Sequence, residues 1–327
     1  MAIEMHINLI KSGADNWNKW TEENPHIKWD LDDAKLDNIN LSGARLTGGS
    51  LCNATFVNAC LDFVKFTDCD LSNVDFTHAK LDLCRFTRVE LPVAKFIEAI
   101  LENTVFKNCE LFGANFTAST GTDGGFENCD LEEAVFNNAK LDCGFYDCKM
   151  FQVKMNDANQ LSVRFNRCEI GCGDFYNSVF QQADFNECSL SHCSFTKSVM
   201  QKSVFKNCNL THAFFSCAQL ENSSFYGSNC YQARFWGADI SFSDFTTANL
   251  SETDLNGSIL KGCTVYGISA WNIQGTPSDQ SNLIITRKDE PTVTVDDLET
   301  AHLTYLLLNN ANIQKLVDII KLEPRFL

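Results

Sequence analysis

The sequence predicts an all-β solenoid of four-sided coils, and three observations predict it. A large apolar residue recurs at every fifth position from Leu36 to Val265. The residue two places before it is small, and those between are mostly Asp, Asn, Lys, Thr and Ser. The pattern persists for about 47 five-residue units, most of the 327-residue chain. Self-similarity at a short fixed period is the mark of a repeat array. Five matches neither the 3.6 of a helix nor the 2 of an ordinary strand. It suits a coil whose four short sides each send one large and one small side chain inward.

Residues 1–30 precede the array and read as an amphipathic helical cap. Ile7, Ile10, Trp17 and Trp20 fall near helical spacing, and Pro25 should end the helix because the residue before a proline avoids the α region. A solenoid's first coil exposes an apolar cross-section and unpaired strand edges, so a cover is needed there. A partner-binding helix is the alternative.

The array itself spans 31–265. Leu36, Leu41, Leu46, Leu51, Phe56 and Leu61 begin a series that runs to Leu141, broken only by Gly121. Phe145 then follows Leu141 after four positions, and this slip should tighten one corner. Units such as ANFTA at 114–118, ADFNE at 183–187 and ANLSE at 248–252 repeat small, polar, Leu or Phe, polar, variable. These units resemble those of the pentapeptide-repeat proteins. The resemblance implies a right-handed quadrilateral parallel β-helix, here with helical N- and C-terminal caps. Leu and Phe alternate from Leu51 to Phe116, so two opposite sides hold Phe and the other two mainly Leu. Stacked at the inter-strand spacing, the coils make a rod on the order of 55 Å long, with a dry interior that leaves no room for a ligand. Two irregularities stand out. TASTGTDGG at 117–125 should bulge on one side, and Gln160 is buried unless Leu161 takes its place.

Residues 266–327 leave the pattern. SNLIIT and TVTV read as short extended pieces, and Asp296 with Glu299 makes a capping-box-like start for a helix over LETAHLTYLLL. A second amphipathic helix, NIQKLVDIIKL, should end before Pro324. Its apolar residues and those of its neighbour exceed what one helix pair can bury. Phe214, Trp236, Leu306, Leu307, Leu316 and Ile320 therefore form an expected docking or dimer patch, filled by the last coil or by a second copy. The segments flanking the array are also similar to those of bacterial pentapeptide-repeat proteins that continue into a TIR-like signalling domain. That likeness implies the sensing or scaffolding part of a signalling or defence system.

Charge and composition narrow the function. A net charge of −16 disfavours nucleic acid as a direct partner, because phosphate neutralisation needs clustered Lys and Arg. No apolar run approaches the roughly 20 residues that span a bilayer, and the N-terminus lacks the pattern of a signal peptide. With 16 Cys, this suggests a reducing cytoplasm. Cys69, Cys109, Cys129, Cys148, Cys168, Cys188 and Cys208 recur on one side and should form a buried column of small hydrophobes instead of disulfides.

Outward positions carry the candidate sites. Asp70, Glu90, Glu110 and Asp130 fall once per coil on one side, an acidic stripe reinforced by Glu132 and Glu133. Stacked like charges repel, so the stripe costs stability unless a partner or a lysine offsets it. Some pentapeptide-repeat proteins imitate duplex DNA and bind type II topoisomerases, and the resemblance makes that an alternative here. Cys172, His192 and His212 form a second outward column, a candidate metal site whose linear placement suits tetrahedral zinc poorly. Nothing resembles a phosphate loop, a nucleophile elbow or a Cys-x-x-Cys zinc signature. The expected function is a non-enzymatic, cofactor-free scaffold or sensor that binds a protein partner, with a homodimer through the C-terminal segment left open.

Overall fold

A computed structural model of the chain describes residues 3–309. Its body is a parallel β-solenoid with short helices at the ends. One side of the coils is a nine-stranded parallel sheet: β1 (Arg45–Thr47), β2 (Lys65–Thr67), β3 (Arg85–Thr87), β4 (Val105–Lys107), β5 (Thr120–Glu127), β6 (Lys140–Tyr146), β7 (Arg164–Asn166), β8 (Asp184–Asn186) and β9 (Val204–Lys206). The other sides pair through single-residue rungs. One such ladder climbs from Asp30 through Ser50, Asp70, Glu90, Glu110 and Asp130 to Lys149, and on to Ser269.

The corners explain why the period is five. At most of them a backbone N–H returns to the carbonyl three residues earlier, as from Ala54 to Leu51 at 3.0 Å. The residue before the returning N–H is left-handed: Asn53, Asn58, Asn73 and many equivalents have φ near +58°. Asn, Asp and Gly tolerate that conformation best, which accounts for their recurrence two places after the large residue.

The interior holds two Phe ladders, as the alternation implies. Successive rings stack at 4.6 Å between Phe86 and Phe106 and at 5.0 Å between Phe126 and Phe145. The ladders from opposite sides meet edge to face, with Phe96 and Phe106 at 5.5 Å and 89°. Both geometries are the favoured ones for aromatic pairs, adding about 0.5–1.5 kcal/mol each beyond burial.

The small inward positions do more than fill space. Cys69 donates to the Leu46 carbonyl at 3.0 Å and Cys84 to that of Leu61 at 2.8 Å. Where the column changes from Cys208 to Ser228, the Ser228 hydroxyl makes the same bond to Phe205 at 2.7 Å. The thiols are thus weak donors to backbone as well as small hydrophobes, and all 16 are free. Burial pushes the Cys69 and Cys84 thiols up, so they stay protonated.

The slip is absorbed differently from the tightened corner expected. The corner between Leu141 and Phe145 disappears, and β6 runs straight through it. Asn138 and Asp147 are left-handed, and no residue between them is. The neighbouring β5 also runs long, with Thr122 opposite Asp142 and then Gly125 opposite Gly144, the expected bulge. Here the backbones close up: a Cβ on Gly121 would lie 2.6 Å from the Leu101 carbonyl oxygen. Gln160 is fully buried with neither amide atom bonded, and Leu161 stays 52% exposed instead of replacing it.

The N-terminal cap is two helices, α1 (Glu4–Lys11) and α2 (Ala14–Glu23), instead of one, because Gly13 at φ 106° breaks the run. Together they cover the first coil. Trp17 and Trp29 donate their indole N–H groups to the Arg45 and Thr47 carbonyls at 3.0 and 2.9 Å. Asn18 accepts the Arg45 N–H at 2.7 Å and donates to Gly43 at 3.1 Å. Side chains therefore occupy the edge that β1 would otherwise leave open.

At the other end the ladder outlasts the repeat signal at Val265. Asn249 pairs with Ser269 and Thr264 with Ile284, so a further coil follows. Backbone pairing does not require the repeat's side chains. β10 (Leu283–Ile284) then folds back antiparallel on β11 (Thr294–Val295), which leads into α3 (Leu298–Asn309). Asp297 caps α3, not Asp296. Its Oδ2 accepts the Thr300 N–H at 2.6 Å, whereas Asp296 Oδ1 accepts the Asn282 N–H at 2.7 Å. The second predicted helix lies outside the described residues.

Candidate functional site

The four acidic residues predicted to align do so on consecutive rungs. Asp70 pairs with Glu90, Glu90 with Glu110, and Glu110 with Asp130, so the carboxylates repeat at about the 4.8 Å inter-strand spacing. Lys149 follows on the next rung and Glu169 on the one after. Among the described residues, none of the four acids forms an ion pair. Burial, then the charges of Asp70 and Glu110, push the Glu90 carboxyl above its ordinary range. Burial alone would raise Asp70 too, but the hydroxyl and N–H of Ser72 and the Cys52 thiol together hold it below the ordinary range.

Two places away the chain treats charge differently. Arg88 donates through Nε and Nη2 to both oxygens of Asp68, at 2.6 and 2.8 Å. Arg167 and Asp147 repeat the fork at 2.7 and 2.8 Å in the same corner column, and Lys107 meets Glu127 at 2.6 Å. The Arg88 guanidinium holds Asp68 below the ordinary carboxylate range.

Glu132 and Glu133 sit just past Asp130 on the adjoining corner. The Glu132 N–H bonds back to Asp130 Oδ1 at 3.1 Å, and Glu133 occupies the left-handed position at φ 58°. Apolar side chains share that corner. Val93 is 55% exposed, Phe112 45% and Phe151 44%. The Val93 N–H bonds the Phe112 carbonyl and that of Glu133 the Phe151 carbonyl, so these residues belong to neighbouring rungs. Val93 is left-handed at φ 54°, where a β-branched residue is strained by about 1–2 kcal/mol. The acidic stripe therefore borders an exposed apolar corner, which the sequence-based reading did not single out.

Cys172, His192 and His212 all occupy left-handed corner positions, one per coil. His192 and His212 stack face to face at 4.7 Å and do not converge on a point. Among the described residues, no group of three or more His, Cys, Asp or Glu side chains could hold a metal ion.

The expected C-terminal docking patch takes another form. α3 is buried through Leu298, Ala301 and His302, and His302 meets the Trp271 ring edge to face at 4.5 Å. Tyr305 packs edge to face on Tyr266 at 5.1 Å. Trp236 remains 60% exposed, and the Phe214 ring is covered by the Arg234 guanidinium at 5.1 Å. Leu306 is half-buried and Leu307 exposed, while Leu316 and Ile320 lie outside the described residues. No helix among the described residues is long and apolar enough to cross a membrane.

No curated protein matches this sequence. Solved structures that match include HetL, a pentapeptide repeat protein involved in heterocyst differentiation regulation from the cyanobacterium Nostoc sp. strain PCC 7120, at 20% identity over 80% of this chain and 94% of that one, with a TM-score of 0.27. QnrB1, a plasmid-mediated fluoroquinolone resistance protein, matches at 20% identity over 55% and 90% of the two chains, with a TM-score of 0.38. A pentapeptide repeat protein of the Arabidopsis thaliana thylakoid lumen matches at 23% identity over 34% and 84%, with a TM-score of 0.28. At these values the likeness is one of repeat architecture, and nothing about partners follows from it. The family profile described as pentapeptide repeats in eight copies matches several stretches between residues 34 and 264, and that of the pentapeptide repeat region matches 119–195. Together the matches cover all but one residue from 34 to 264, and the chain belongs to the pentapeptide-repeat family.

Proposed function

We propose that this chain is a non-enzymatic protein-interaction module, a scaffold or sensor in a bacterial cytoplasm, that engages a basic partner protein along Asp70, Glu90, Glu110 and Asp130. One observation carries the reading: none of these four acids forms an ion pair among the described residues, while Asp68, Glu127 and Asp147 in the columns just before them are paired with Arg88, Lys107 and Arg167. A stripe kept unpaired at a cost in stability fits a surface reserved for an external cation. The exposed Val93 and Phe112 beside it supply the apolar contact that charge alone would lack. The module would serve as the recognition part of a signalling or defence system.

The test is affinity capture from the native host with the full chain and with Glu90→Gln/Glu110→Gln. A captured protein lost with the double variant, yet kept by Arg88→Ala, supports the reading. Equal capture by all three sinks it. The same stripe underlies the rival proposal, a DNA mimic that binds type II topoisomerase. Inhibition or protection in a gyrase supercoiling assay at micromolar protein would favour that rival. Against it stand Lys149 within the column, and Lys95 and Arg85 on neighbouring sides. A homodimer through the C-terminal segment is tested by light scattering on a chain cut after Ile284, where an unchanged mass would remove it.

A further inference from the structure

Near the C-terminal hairpin the side of the solenoid is concave. There the segment 285–293 rises as an arm beside the last coils and encloses a groove of about 670 Å³. The Ile285 N–H bonds the Val293 carbonyl at 3.0 Å, and the Thr286 hydroxyl accepts the Val293 N–H at 3.2 Å. The arm's turn is closed by the Glu290 N–H to the Arg287 carbonyl at 3.1 Å. Arg287 pins the arm to the coil, donating through Nε to Tyr266 Oη at 2.9 Å. A volume of this size suits a small molecule, not a protein segment.

The lining has a direction. At one end stand Arg287 and Lys288, and among the described residues neither forms an ion pair. The Thr246 and Thr264 side chains line the floor. At the other end is Tyr226, 43% exposed. Tyr226 and Tyr266 occupy equivalent positions two rungs apart, about 10 Å at the inter-strand spacing. Asp244 lines the groove as well, one carboxylate oxygen bonded to the Thr246 N–H at 2.8 Å. It keeps anions away from the Tyr226 end and offers an acceptor to an amino or hydroxyl group there. In a chain of net charge −16, two cations that form no ion pair among the described residues, Arg287 held in place by Tyr266, face an aromatic ring across a hydroxyl-lined floor.

We propose that this groove binds a small phosphorylated aromatic ligand of the mononucleotide class. The phosphate sits on Arg287 and Lys288, whose charge and N–H donors match its oxygens. The ring lies along Tyr226, and the two-rung separation is comparable to the span from base to phosphate in a mononucleotide. The acidic stripe plays no part in this site.

Calorimetric titration of the full chain at low salt with AMP, GMP, CMP and UMP tests it, with inorganic phosphate and adenosine as separate arms. At least one mononucleotide should bind, phosphate and adenosine each roughly tenfold more weakly or worse. Lys288→Ala and Tyr226→Ala, both exposed positions, should each weaken that binding roughly tenfold, whereas Glu90→Gln should leave it unchanged. Absence of binding by all four mononucleotides at millimolar concentration overturns the proposal. So does equal binding of phosphate alone or adenosine alone, or binding indifferent to both variants.

Discussion

Two charged columns lie two residues apart on this rod, and the fold treats them in opposite ways. In the corner column Asp68 faces Arg88 and Asp147 faces Arg167, each acid matched on the next rung. In the column beside it Asp70, Glu90, Glu110 and Asp130 follow one another on four consecutive rungs before Lys149, and none of them forms an ion pair among the described residues. Both are built by the same stacking, so geometry does not explain the difference. A repeat fold copies whatever is placed at one position onto a neighbour about 5 Å away. Alternating signs then stabilise, and identical signs strain. The contrast shows that charge neutralisation was available to this scaffold and was used beside the stripe at Asp68 and Asp147, but not at the four acids themselves.

The largest expected effect comes from making the second column resemble the first. Glu90→Lys would turn two repulsions, with Asp70 and Glu110, into two attractions. Denaturant unfolding should show a gain of about 1 kcal/mol, reduced by the exposure of the site. Partner capture should be lost in the same variant. A variant that is less stable would show that the stripe is not self-repulsive, and the contrast between the columns would collapse.

Acid titration separates the columns next. Glu90 has a folded value above its ordinary 4.5, so its unfavourable contribution is complete above the folded value and fades as pH falls through it toward 4.5. Asp68 is held below its ordinary 3.8, so its favourable contribution is complete above 3.8 and is lost as pH falls through the folded value. Acidification from neutrality should therefore stabilise the rod slightly before destabilising it. Glu90→Gln should abolish the early gain and Asp68→Asn should soften the later loss. A thermal midpoint that falls monotonically from pH 7 in the wild type would contradict this ordering.

Much of this was legible in residues whose spacing is itself the structure. The Phe ladders, the thiol column and the acidic stripe follow from a 20-residue repeat, because stacked coils put equal positions into contact. The Asp68–Arg88 and Asp147–Arg167 forks were readable by the same rule and were missed only for want of comparing corner positions. Other features depend on backbone detail that spacing does not carry. A four-residue step could tighten a corner or delete it, and the absence of any left-handed residue between Asn138 and Asp147 shows deletion, with β6 running straight through. The extra coil beyond Val265 is held by N–H and carbonyl groups, which carry no sequence signature. The groove beneath Arg287 arises where a non-repetitive arm returns to the coil, so no periodicity announces it.

Salt offers a smaller effect. Screening should relieve the stripe and weaken the forks, with opposite consequences for stability. Raising NaCl from low to physiological levels should raise the thermal midpoint of the wild type more than that of Glu90→Gln/Glu110→Gln. Identical salt responses would mean that the stripe contributes no net repulsion.

The smallest expected effect falls on the forks themselves. Arg88 and Asp68 are more than half and half exposed, at 56% and 50% of their side-chain surface. Exposed ion pairs gain little, because water already solvates both charges and two long side chains lose freedom to meet. Arg88→Ala should therefore cost only a few tenths of a kcal/mol in denaturant unfolding, even though its bidentate geometry is good. The Arg88 fork then matters for what it prevents, a second unpaired acid at Asp68 beside Asp70 and Glu90, and not for what it adds. Arg88→Ala combined with Glu90→Lys tests this directly. If the fork only shields the stripe, removing Arg88 should cost less once a lysine stands at position 90. If the cost is the same in both backgrounds, the two columns are energetically independent.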